Sequence, residues 1–442
     1  SNNGSLPKSA YYSGGVVGVI DNCGGVITLS DCTNSGNVDG KQTGGFVGRI
    51  VGAELIVTMT NMINKGTISG SWAVGGLVGV IERNQVIEVT MSNCINNGNV
   101  IRTTGSGNAI GGFVGSVYYN GKMMMKIHKC FNNGRVTSPK IQVGGFIGVI
   151  QRNSQNGIEF IDSANNGVVI SDLLGSSVGG FVGTIQNENK ISMTVHNCFN
   201  NGNVTGTVNG NVNGGRIAIN VGGFVGHIAR GTNMTMAISN SINNGNVNGN
   251  FTGGDSEVGG FVGHIESNPN MTMIISSSSN NANVTGSAKC YSGGFVGNMN
   301  KNANMTTIIS NSFNNGAIVG MEGIGGFIGI VTVGSSNEMI TTENCLQGGE
   351  LMSSSQTKQI GGMIGCIVID YISEVHGYES QIQIVSSVVQ QKMSVNCQEC
   401  VVGGVIGGIF SEDPFQKIQV SLSLQINQEM NINCGNCSVG GL

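Results

Sequence analysis

Twelve cysteines, five histidines and 24 acidic side chains are the groups in this 442-residue sequence with the most chemistry to offer. Four cysteines form two Cys-x-x-Cys pairs, Cys397 with Cys400 and Cys434 with Cys437. That spacing suits a four-thiolate zinc site, disulfides in an oxidising compartment, or free thiols. Cys32, Cys94, Cys130, Cys198 and Cys345 share one recurring position, which elsewhere holds Met62, Ser163, Ser241, Ser278 or Ser312. A slot that accepts Cys, Ser or Met reads as a small inward site with buried, unpaired thiols. His227 and His264 follow equivalent Gly-Phe-Val-Gly strings. Two histidines in a repeated register with no carboxylate read as surface residues, with metal binding the sharper alternative. Polysaccharide cleavage needs clustered carboxylates, and the nearest pair, Asp255 and Glu257, reads as the solvating charge of a loop. Asn233, Asn270 and Asn304 each begin an Asn-Met-Thr sequon at one register, with further sequons at Asn203, Asn250 and Asn283. Glycosylated, the three aligned sites would form a row of sugars on one face.

These groups can meet only if something brings distant residues together, and a repeat does so. A Gly-Gly-Phe-Val-Gly string or its close variant has its first glycine at thirteen positions from Gly14 to Gly440, with a mean spacing of 35.5 residues. Between these strings runs a second one, as in Asn93-Cys94-Ile95-Asn96-Asn97-Gly98-Asn99-Val100. From the glycine pair to the glycine of the second string the distance stays at 22 to 24 residues, whereas the stretch after it runs from 6 to 18. Length variation confined to one place predicts a rigid coil with one insertion-tolerant edge, the longest insertion being 205–220. The glycine strings lack the lysine of a phosphate-binding loop, so no cofactor is expected.

Within the fixed segment the apolar period is two. Met234, Met236 and Ile238 alternate with Thr235, Ala237 and Ser239, which marks a strand with one buried face. Phe46, Phe113, Phe146, Phe181, Phe224, Phe261, Phe295 and Phe327 fall in one register, and Asn34, Asn64, Asn96 and their equivalents in another. Stacked ladders of like side chains are the natural interior of a parallel β-helix. The expectation is therefore an all-β parallel solenoid of about 12 coils, with about three short strands per coil and glycines supplying positive φ or close approach. A chain of β-hairpin modules is the alternative. Residues 1–442 read as a single array in which 361–442 are diverged repeats carrying the Cys-x-x-Cys pairs.

Gly-Leu-Val-Gly at 76–79 and Gly-Phe-Val-Gly at its equivalents, with the Asn-x-x-x-x-Gly-x-Val string before them, resemble the GLUG-motif repeats of bacterial secreted and surface proteins. Such proteins include adhesin-like proteins and some immunoglobulin-degrading peptidases, whose peptidase activity resides in a separate domain. The resemblance implies secretion and a surface-exposed solenoid. This chain is richer in asparagine and longer in its loops than that family.

Glycine supplies 74 positions, proline 4 and charged residues only 10 %. A net charge of −4 offers nucleic acid no basic footprint, and the longest mostly apolar stretch, 401–410, is too short for a transmembrane segment. These features predict a non-catalytic structural or adhesive protein at an extracellular or cell-surface location, with surface glycans or a host surface as partner. A carbohydrate-binding or carbohydrate-active β-helix and an ice- or surface-binding array are the alternatives. Both ends break off inside repeat strings, which predicts further repeats or end-to-end self-association.

Overall fold

The computed structural model describes residues 2–5, 10–21, 24–103, 109–139, 142–172, 175–208, 218–251, 254–287, 289–333, 338–353, 358–369, 379–411 and 417–440. The side chains of 208, 379, 386, 391–392, 394–399, 411, 417–418, 427–437 and 439 lie outside that description. The chain is an all-β parallel solenoid, and every described element is a strand. Equivalent segments pair in parallel one repeat apart, as Val225 does with Val262 and Met236 with Met273. That pairing rules out a chain of hairpins, whose strands would be antiparallel neighbours.

One repeat shows the path. Strand Val225–Ala229 ends at Arg230 (φ 55°), and Thr235–Ser239 ends at Asn240 (φ 48°). Ile242–Asn243 then passes through an Asn-Gly bend into Val247–Phe251, and Asp255–Gly259 closes the coil. Five segments thus replace the expected three, because three left-handed residues, Arg230, Asn233 and Asn240, and a bend break the path. The first segment and its equivalents build a twelve-stranded sheet, and the other four join a 41-stranded sheet that wraps the rest of the coil. In the diverged C-terminal repeats, which lack the Asn-Gly string, Glu379–Gly403 and Lys417–Gly440 run as long strands in ladder pairing.

Two apolar cores fill the coil. The larger holds the phenylalanine ladder and the inward side of the methionine-bearing strands, and the smaller holds Val221, Val247, Val258 and their equivalents. All eight phenylalanines of the ladder are fully buried. From Phe113 through Phe327 their rings stack with centroids 4.7 to 4.9 Å apart, which is the spacing between paired strands. Between the cores the asparagine of the second string meets the glycine pair. Each side-chain amide donates to the next asparagine's Oδ1, as Asn165 does to Asn200 and Asn200 to Asn243 at 2.8 Å, and Gln347 accepts from Asn314 at the far end. Most also donate to the carbonyl two residues on, which anchors the bend, as Asn200 does to Gly202.

The other asparagines of the string have their own tasks. Asn97, Asn133, Asn166 and Asn201 form an exposed amide row, and Asn203 Oδ1 accepts the backbone N–H of Asn246 in the next coil. A second buried row, Asn84, Asn120 and Asn153, follows the corner after the twelve-stranded sheet. The string glycines serve close approach and not positive φ, which among the described glycines belongs to Gly25 and Gly175. A Cβ on Gly180 would stand 2.0 Å from the Gly223 carbonyl oxygen and 2.5 Å from Asn200 Oδ1. Left-handed backbone falls instead to residues such as Asn93, Asn197 and Asn240, each just before the Cys/Ser slot. The slot side chain then donates to the carbonyl two residues back, as Cys198 does to His196 and Ser241 to Ser239.

Candidate functional site

At the glycine pairs of the middle coils two outward side chains come to face one another: the residue two before the first glycine and the residue five after it. Across three consecutive coils these are Asn220 and His227, Glu257 and His264, and Tyr291 and Asn298. Together they line the middle of a groove of about 1080 Å³ that runs along the solenoid. Nearer the N-terminus the same track is closed, by Ala73 and Val80 packed with Tyr118 against Trp72, and by Arg49 Nε held 2.6 Å from Glu82 Oε1. The insertion-tolerant segments join the coil at the groove's rim, since Ala218, Asp255 and Lys289 all line it. Segment 209–217 of the longest insertion lies outside the described residues. Its flanks are strands, Val204–Val208 and Ala218–Gly222, so 205–208 and 218–220 belong to the ladder and not to a loop.

The groove reverses the reading of Asp255 and Glu257 as loop charge. Both lie in strand Asp255–Gly259, and Glu257 is only 4 % exposed. Burial, and then the Asp255 charge, push the Glu257 carboxyl up to about 8. Across the groove Glu266 is held down at about 2, chiefly by its contact with His227. Burial, and then His227, pull His264 down to about 3, so its imidazole is neutral. His264 is 7 % exposed, a correction to its reading as a surface residue, and its ring stacks on that of His227 with centroids 5.1 Å apart. The carboxylate missing from the sequence pattern is Glu266, whose Oε1 lies 3.3 Å from His227 Nε2. Asn220 Oδ1, Glu257 Oε2, His264 Nε2 and Asn298 Oδ1 are buried with no hydrogen-bond partner. At the C-terminal side Glu322 accepts from Tyr291 Oη and Lys358 Nζ, both at 3.0 Å.

Of the cysteines, Cys94, Cys130, Cys198 and Cys345 are buried free thiols and Cys32 is a partly exposed one. The backbone ladder sets Cys397 beside Cys434 and Cys400 beside Cys437. The sulfur of Cys400 is disulfide-bonded, while the side chains of Cys397, Cys434 and Cys437 lie outside the described residues. The sequon asparagines Asn203, Asn233, Asn250, Asn270, Asn283 and Asn304 are all exposed. Asn270 donates to Asn233 and Asn304 to Asn270, each at 3.2 Å, so the three aligned sites form one row.

Sequence reasoning missed Asn220, Tyr291 and Asn298 because they differ in type from coil to coil. Their constant offset from the glycine pair was the available signal. No helix among the described residues is long and apolar enough to cross a membrane. No family model, no curated protein and no solved structure matches this chain.

Proposed function

We propose that this solenoid is a non-catalytic structural repeat protein with an adhesive role at an extracellular or cell-surface location, and that its groove holds an extended, hydroxyl-rich ligand of the surface-glycan class. The observation that carries the reading is the set of buried polar atoms without partners at Asn220, Glu257, His264 and Asn298. Stranded polar groups are costly, about 1 to 3 kcal/mol each, and a chain of hydroxyls, which both donate and accept, would satisfy them. The GLUG resemblance and the disulfide at Cys400 support the location, since disulfides persist in oxidising compartments. The test is binding of the purified chain to an array of surface polysaccharides, compared with Asn298→Ala. Retention of a glycan by the wild type and its loss in the variant is the expected result. Equal retention by both, or none by either, would overturn the reading.

A second reading, carbohydrate cleavage, has one specific observation in its favour. Glu257 is pushed to about 8 and Glu266 held at about 2, which divides two carboxyls into a proton donor and an ion at neutral pH. Release of reducing ends from a retained glycan, abolished by Glu257→Gln, would establish it.

A further inference from the structure

We propose that His227, His264 and Glu266 form a binding site for one divalent transition-metal ion of the zinc type. The solenoid brings the three together from adjacent coils. Val225–Ala229 pairs in register with Val262–Glu266, so His227 lies beside His264, and Glu266 projects on the same face two residues further along. Their ligating atoms all lie within 4.8 Å of one another. His264 Nε2 has no protein partner, although the residue is more than nine-tenths buried. An imidazole nitrogen left bare in that position is a metal ligand without its metal, or a polar atom without the hydrogen-bond partner that either tautomer would need.

The donor set selects the ion. Two imidazoles and one carboxylate suit zinc, cobalt, nickel or copper, whereas calcium and magnesium prefer oxygen alone. The two rings lie nearly parallel, at 18°, so their lone pairs converge on one ion only after a rotation toward the groove, which is open space on that side. Asn298, paired with His264 in the next coil, places a partnerless Oδ1 at the following step of the same track. It is available to a fourth ligand or to a metal-bound water. Three protein ligands and one open position facing a groove make an ion that can also engage what the groove holds.

The test uses the metal alone and does not depend on the ligand of the groove. The full chain, freed of metal with a chelator, is titrated with Zn²⁺ by calorimetry and with Co²⁺ by absorption. The expected result is one equivalent bound through nitrogen and oxygen, not displaced by Ca²⁺ or Mg²⁺, and weakened at least tenfold in both His264→Ala and Glu266→Gln. Glu266→Gln keeps the side-chain shape on a half-buried residue, so it carries the test should His264→Ala fail to fold. Unchanged affinity in the variants, no binding by the wild type, or a cobalt spectrum showing only thiolate ligation would overturn the proposal.

Discussion

Glu188 Oε1 accepts hydrogen bonds from both the side-chain amide of Asn153, at 3.0 Å, and its backbone N–H, at 3.2 Å. Its Oε2 accepts from the Asn156 amide at 2.8 Å. In the buried row Asn84, Asn120 and Asn153, each amide donates to the next residue's side-chain oxygen. A carboxylate cannot pass that pattern on, and the next position in the row is Gly231, which has no side chain to receive it. Glu188 and Gly231 therefore interrupt the row, which resumes where Asn268 donates to Asn302.

Its environment makes stability depend on pH. Glu188 is 2 % exposed, and burial pushes its carboxyl up to about 7 despite the donors around it. The folded state holds the proton more tightly than the unfolded chain. Its stabilising contribution is therefore fully present below about pH 4.5 and is lost as pH rises through about 7. The span corresponds to about 3 kcal/mol. Denaturant melts between pH 4.5 and 8 should show the wild type losing stability relative to Glu188→Gln, which still accepts from Asn153 but does not titrate. Parallel curves for the two proteins would contradict the assignment.

Phe181→Ala tests how far damage travels. Phe181 stacks on Phe146 and Phe224 at 4.8 and 4.9 Å and meets Phe160 edge-on at 5.3 Å. Removing it should cost roughly 3 to 5 kcal/mol, confined to neighbouring coils because solenoid stability is nearly a sum of neighbour terms. Hydrogen exchange should accelerate between about Gly145 and Phe261 and stay unchanged around Val57 and Phe327. Uniform acceleration along the chain would show that the coils do not act as a one-dimensional stack.

The free thiols give a chemical readout of the same packing. Burial pushes Cys198, Cys290 and Cys366 up to about 12 and Cys345 up to about 11, and all four are closed to solvent. Alkylation of the native protein at pH 8 followed by mass mapping should label Cys32 first among the described free cysteines, since thiolate and access are both needed. Rapid labelling of Cys198 would mean that its coil opens readily.

What could be read in advance was whatever repeats in residue type. The phenylalanine register and the Asn34 register announced themselves because each coil must stack like on like. The slot at Cys94 was recognised as small and inward, but its hydrogen bond to the carbonyl two residues back was not. That bond depends on the left-handed residue before it, and Asn93, Lys129 and Asp162 share no chemistry that would reveal it. The groove was hidden for a related reason. Glu257 and His264 lie seven residues apart across a glycine turn, and only the direction of that turn decides that they face the same space. The row at Asn84, Asn120 and Asn153 stands nine residues after each glycine pair, a fixed offset hidden because Glu188 and Gly231 interrupt it.

Asparagine is the residue with which the solenoid can be interrogated most directly, because the same side chain occupies buried and exposed rows at the same repeat spacing. Asn165 takes a hydrogen bond from Asn132 and gives one each to Asn200 and the Gly167 carbonyl, all inside the protein. Asn201 gives one to Asn166 and takes one from Asn244, all in water's reach. Asn165→Ala leaves Asn200 Oδ1 and the Gly167 oxygen without those donors and opens a gap beside Gly145, at about 1 to 3 kcal/mol for each stranded group. Water replaces both partners lost in Asn201→Ala, so that change should stay within about 0.5 kcal/mol. Equilibrium unfolding of the two variants measures the contrast. Equal losses would mean that the buried amide row contributes no more than its surface counterpart, and that the apolar ladders alone hold the coils in register.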